Sequence, residues 1–167
     1  MLLAAASSVY GLSLHPLTNR RDMLAISFTA AAAGSPIQAW AADDIAKARA
    51  QVLSGEAALD DLLKAYDEVV AADGGNGIRR VLGKLGPTSP LHRVDKALGL
   101  VARDVEDERS FDLVDQFLAE IDSADGDAYS SIFVPTGGGT TPEYWLARSK
   151  KEITKARTTL DRIIELK

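Results

Sequence analysis

Between residues 42 and 166 apolar side chains recur at spacings of three and four, a period that makes helices the building material of nearly the whole stretch. Leu59, Leu62, Leu63, Tyr66, Val69 and Val70 mark one face of a helix across Glu56–Ala72. Ala42–Leu53, alanine-rich with Ile45, Val52 and Leu53, is helix-prone too, and Ser54-Gly55 is expected to break or bend the chain between the two. Asp73-Gly74-Gly75-Asn76-Gly77 supplies a left-handed stop. Ile78, Val81, Leu82 and Leu85 then share one side of 78–85, and Gly86-Pro87-Thr88-Ser89-Pro90 interrupts. Ser89 before Pro90 reads as the N-cap and first residue of a restart, whose stripe is Leu91, Val94, Leu98, Val101 and Val105.

The next helix opens near Ser110, turns Phe111, Val114, Phe117, Leu118 and Ile121 inward, and is expected to close before Asp125-Gly126-Asp127. Residues 126–141 read as a loop in which Tyr129, Ile132, Phe133 and Val134 pack while Gly137-Gly138-Gly139 is slack. Ile132–Val134 is the one strand-like pattern. Thr141-Pro142-Glu143 opens the last helix with a cap, a proline at the first position and an early acid that suits the helix dipole. That helix runs to about Leu166. Trp145, Ile153, Ala156, Leu160, Ile163 and Ile164 form its stripe, with Arg148, Lys150, Lys151, Lys155 and Arg157 on other faces. Four amphipathic segments with short or medium connections predict an all-α, up-and-down four-helix bundle over residues 42–167.

Residues 1–41 are a different kind of sequence. Arg20-Arg21, the apolar run Met23–Ala33 and the small residues Ala39 and Ala41 flanking Trp40 form an export signal of the twin-arginine type, with cleavage after Ala41. The run is shorter than the roughly 20 residues a bilayer span needs. A twin-arginine signal implies a cargo that folds before it crosses. The first 21 residues contain no acid and carry Ser7, Ser8, Ser13 and Thr18, which fits a two-stage address through a plastid into the thylakoid lumen. The alternative is a bacterial periplasmic helical-bundle binding protein with a long n-region.

The chain carries a net charge of −5, and the signal holds two arginines against one aspartate, so the remainder is more acidic still. That balance argues against nucleic acid as a partner. With no cysteine, disulfides, thiolate metal sites and thiol catalysis are excluded. His92 is the one histidine after the signal; with Asp95 it makes a possible donor pair, but a surface histidine near a helix start is the simpler reading. Asp122, Asp125 and Asp127 could hold calcium only weakly, because the twelve-residue loop with its terminal glutamate is missing. Gly137-Gly138-Gly139-Thr140-Thr141 lacks the lysine and the preceding strand of a phosphate loop. The expected protein is not an enzyme and needs no cofactor or metal of its own.

Two features suit a partner instead. Arg79 and Arg80 diverge by about 100° on a helix, so one can pair internally while the other meets a partner's carboxylate. Tyr129, Phe133, Tyr144 and Trp145 gather around one connection and the helix after it, where aromatics serve either a core or an interface.

Ala72-Asp73-Gly74-Gly75-Asn76-Gly77-Ile78-Arg79-Arg80-Val81-Leu82-Gly83, Ser89-Pro90-Leu91, Tyr129-Ser130-Ser131-Ile132-Phe133 and Thr141-Pro142-Glu143-Tyr144 together carry a resemblance. Over most of 54–166 the chain resembles the extrinsic photosystem II proteins of the PsbQ-like group, most closely the diatom-type fifth extrinsic subunit of the oxygen-evolving complex. The resemblance implies a lumenal four-helix bundle that docks on photosystem II core subunits and other extrinsic proteins, peripheral to the thylakoid membrane. It implies a structural role in retaining calcium and chloride, with no catalysis. Arg79, Arg80, Tyr129 and Phe133 are the docking candidates by position.

Overall fold

The computed structural model describes residues 36–105, 107–134 and 140–166, with side chains from residue 42 onward. Arg20, Arg21 and Gly137-Gly138-Gly139 lie outside the described residues, as do the side chains of Ala39 and Ala41. Everything regular among the described residues is helical: α1 (Pro36–Lys64), α2 (Tyr66–Val81), α3 (Val94–Asp104), α4 (Arg109–Ile132) and α5 (Pro142–Glu165). No described helix is long and apolar enough to cross a membrane.

The apolar stripes meet in one core. Leu59 of α1, Ile78 of α2, Leu98 of α3, Phe117 of α4 and Ile153, Leu160 and Ile163 of α5 are fully buried, together with Leu82 just beyond α2. Burying one such side chain is worth about 2 kcal/mol, and the ordering of the chain offsets most of the sum. Single side-chain hydrogen bonds fix the helices against one another. Gln51 Nε2 donates to the carbonyls of Pro90 (3.0 Å) and His92 (3.1 Å), Tyr66 Oη to that of Leu146 (2.6 Å), Ser110 Oγ to that of Ala102 (3.0 Å) and Ser149 Oγ to that of Ala124 (2.9 Å).

Several sequence expectations change. Ser54-Gly55 does not break the chain, because α1 runs straight through it. A Cβ on Gly55 would stand 2.9 Å from Leu91 Cδ2, so the glycine admits Leu91 against the helix. The bend falls at Ala65 instead (φ −99°, ψ 17°), and the bonds Ala65 N to Asp61 O (3.0 Å) and Val69 N to Ala65 O (2.9 Å) continue across it. The stop expected at Asp73–Gly77 is real but sharp. Gly74 alone leaves helical geometry (φ 56°, ψ −143°), a region costly for residues with a Cβ, and the chain is helical again from the next residue.

Ser89 caps a turn, accepting from Leu91 N at 3.1 Å, but the helix restarts only at Val94 because Arg93 takes a left-handed conformation (φ 55°, ψ 31°). Leu91, Val94, Leu98 and Val101 are buried as the stripe predicts, and Val105 is partly so.

The largest correction concerns 126–141. Helix α4 does not close before Asp125-Gly126-Asp127 but continues to Ile132, so the strand-like Ile132–Val134 begins as helix. Gly126 costs about 1 kcal/mol within a helix. Its neighbours outweigh that: Ala124 and Ala128 are wholly buried, and Asp125 bonds Arg79 at 2.8 Å. Nor does Phe111 face inward; it is 48% exposed, while Ser110 and Leu113 are buried. The start of α5 is as expected, with Thr141 Oγ1 accepting from Tyr144 N and Pro142 in the first turn.

Arg157 is the other departure. Although off the apolar stripe, its side chain is mostly buried and joins α5 to α1: Nε meets Asp60 Oδ1 at 2.6 Å, Nη2 meets Glu56 Oε1 at 3.0 Å, and Nη1 contacts Asp161. Its hydrogen bonds hold the carboxyls of Asp60 and Asp161 below the ordinary carboxylate range. Burial, with a hydrogen bond that the protonated Glu56 donates to the Asp161 carboxylate, pushes the Glu56 carboxyl up.

Two outcomes follow. A Cβ at residue 75 would lie 2.1 Å from the Ala128 carbonyl oxygen. Gly75→Ala should therefore cost about 3 kcal/mol, read as a lowered urea midpoint. Arg157→Met should cost about 2 kcal/mol near neutral pH by leaving a half-buried carboxylate uncompensated. Depressed carboxyls stabilise the fold above the ordinary carboxylate range and lose that effect as pH falls through their folded values. The gap between wild type and Arg157→Met should thus narrow on acidification, checked by thermal unfolding across pH.

Candidate docking surface

Because α4 extends past Gly126, Tyr129 and Ile132 lie in its last turn with Phe133 just beyond it, and Tyr144 and Trp145 lie in the first turn of α5. Tyr129 is 47% exposed, Phe133 62% and Tyr144 49%, and Ile132 is exposed as well. Of the four apolar residues expected to pack here, Tyr129, Ile132 and Phe133 are exposed and Val134 is partly buried. Tyr129 and Phe133, one helical turn apart, stack with centroids 4.7 Å apart, and Tyr144 meets Trp145 edge-on at 5.3 Å. Tyr129, Ser130, Phe133, Val134, Thr140 and Trp145 line one recess, so the aromatics on the two sides of the connection do come together. An exposed aromatic group of this kind is more typical of an interface than of solvent-facing surface.

Two arginines border it. Arg79 lies over the Tyr129 ring at 4.7 Å while its Nε bonds Asp125 Oδ1 at 2.8 Å, so this arginine pairs internally. Arg148 lies 5.2 Å from the Trp145 centroid and 5.9 Å from that of Tyr144. Cation–π contacts of this kind fix the rings and leave their other faces free. Arg80 is not part of the group: it pairs with Asp73 at 2.6 Å on the exposed surface and borders a recess shared with Ser89 and Pro90. Of the four docking candidates, the structure gathers Arg79, Tyr129 and Phe133 and sets Arg80 apart.

Beneath the aromatic edge sits a residue that the loop reading obscured. Asp127 is only 5% exposed, faces α5, and its Oδ2 accepts no hydrogen bond. Arg148 Nε stands 3.4 Å from that oxygen, close enough to pair but too far to bond well. Burial pushes the Asp127 carboxyl above the usual carboxylate range, against the pull of Arg148. The available signal was the spacing of Ala124, Asp127, Ala128 and Ser131, one buried face of a helix.

The acidic cluster is occupied by the protein's own cations. Asp122 bonds Lys84 at 2.6 Å, Asp125 bonds Arg79, and Asp127 faces Arg148. Among the described residues no three potential ligands converge on a metal position. His92 Nδ1 lies 3.2 Å from the carbonyl oxygen of Gly83, to which it can donate, and this ties the turn before α3 to the end of α2.

Arg79→Met should cost about 1–2 kcal/mol in thermal unfolding, since its pair with Asp125 is largely shielded. Phe133→Ala should stay within about 0.5 kcal/mol, as an exposed side chain away from the core. No family model, curated protein or solved structure matches the chain.

Proposed function

We propose that this chain is an extrinsic lumenal subunit of photosystem II, docking on the core through the aromatic edge and helping the oxygen-evolving complex retain calcium and chloride. The leader of residues 1–41 would deliver it to the thylakoid lumen, where it stays peripheral to the membrane. In this reading the five helices act as four rods of an up-and-down bundle. The first is α1 with α2 up to Gly74, the second the remainder of α2 with α3, and α4 and α5 are the third and fourth.

The observation that carries the proposal is the exposed group Tyr129, Ile132, Phe133 and Tyr144, which the protein's own core leaves uncovered. Such a surface, bordered by arginines, suits lumenal loops of a large membrane complex. The action is one of coverage. A rigid helical domain seated over such loops slows ion exchange with the lumen without any reaction of its own.

Salt-washing photosystem II membranes should release the protein and lower oxygen evolution, and adding it back should restore the rate. The double variant Tyr129→Ala/Phe133→Ala should rebind at least about tenfold more weakly, since aromatic anchors at interfaces contribute about 1–2 kcal/mol or more. Failure of the wild type to rebind, or rebinding with no effect on oxygen evolution, would overturn the proposal.

A further inference from the structure

We infer that Asp127 and Arg148 form a proton-operated latch on the aromatic edge: protonation of Asp127 releases Arg148 from its position across Trp145 and Tyr144. The geometry supplies each part. Asp127 is buried on the α5-facing side of α4, with an Oδ2 that accepts no hydrogen bond. The nearest cation is Arg148 at 3.4 Å, and the same guanidinium lies 5.2 Å from the Trp145 ring and 5.9 Å from that of Tyr144. One side chain therefore connects a buried carboxylate to half-buried Trp145 and exposed Tyr144.

The groups around Asp127 define what can titrate. From α5 it faces Arg148 and Glu152, and Glu152 is held by Lys155 at 2.7 Å. From α2 it faces Tyr66, whose phenol is pushed up to about 12 by burial and stays neutral at any working pH. Glu152 and the low-polarity setting disfavour a charge on Asp127, and Arg148 alone favours it. Solvent supplies one proton to Oδ2, and the carboxylate becomes a neutral acid. The opposing charge is then gone, and only the ring contacts remain to order a long side chain with much rotamer freedom to regain. Arg148 swings toward solvent. Tyr144 and Trp145 lose their cover, and a free guanidinium is left at the margin of the surface.

The sign follows from the linkage. A carboxyl that holds its proton more tightly when folded favours the fold at low pH, and that contribution is lost as pH rises from the ordinary carboxylate range through the raised value. The latch is therefore closed at high pH and opens on acidification. Its consequence for docking rests on the reading proposed above, but the latch itself is a property of the free protein.

Trp145 reports on it directly. Trp40 falls within the leader, so Trp145 is the sole emitter once residues 1–41 are removed, and Trp40→Phe makes it so in the full chain. In that protein, emission should shift to the red in a single one-proton transition as pH falls from about 8 to about 4, with its midpoint above the usual aspartate value. Asp127→Asn should hold the emission at the low-pH position throughout. Arg148→Met should abolish the emission change while the Asp127 carboxyl carbon, followed by NMR, still titrates. Emission that is flat with pH in the Trp40→Phe protein, or a transition that survives in Asp127→Asn, would overturn the latch. If Trp145 titrates as stated but the protein never binds salt-washed membranes, the docking reading fails and the latch stands. If the protein binds while Trp145 stays silent, the latch fails and the docking reading stands.

Discussion

Close approach of α4 to its neighbours is the constraint on which the rest of the molecule depends. Ala124 and Ala128 of α4 are wholly buried, Ser149 and Ala156 of α5 are too, and Ser149 bonds across to the Ala124 carbonyl. On another side Gly75 comes so near the Ala128 carbonyl that any side chain would collide with it. Small residues let the backbones approach, and large ones on the same helices, Phe117 and Ile153 among them, fill the space beside them. Because the far half of α4 is gripped this way, it stays helical past Gly126 and holds its terminal aromatics on a rigid support.

Charge plays a second, local part. The described ion pairs are mostly exposed and contribute little each. Two are different. Arg157 sits among three carboxylates and joins α5 to α1, while Arg79 joins α2 to α4 beneath Tyr129. Both guanidiniums are largely shielded from water, where losing one partner costs more than the pair is worth by itself. They act as fasteners between helices that small residues have already brought close.

Much of this was legible in the sequence. The stripes through Leu59, Leu98, Leu160 and Ile163 point to buried side chains, and Thr141-Pro142 marks the start of α5. A three-to-four spacing of large apolar residues survives any detail of packing. What escaped depended on contacts distant in sequence. Gly55 and Gly126 look like breakers on propensity, but Leu91 explains one, and the pairing of Asp125 with Arg79 overrides the other. Arg157 looks like a solvated base until Glu56 and Asp60 are seen beside it, and Asp127 looks like a turn residue once a loop is assumed. At the candidate site the gathering of Tyr129, Phe133, Tyr144 and Trp145 was readable from their positions. Their exposure was not, because whether an aromatic cluster faces core or solvent is decided by the neighbouring helices.

If the docking proposed above is right, this edge, rather than any other part of the surface, meets the membrane complex. Hydroxyl-radical footprinting of the bound protein, followed by mass spectrometry, tests it residue by residue. On salt-washed photosystem II membranes, Tyr129, Phe133 and Tyr144 should be protected from oxidation, while Phe111, exposed elsewhere on α4, should be labelled as in free protein. Equal labelling of all four, or protection of Phe111 with Tyr129 and Phe133 still reactive, would rule out docking through this edge.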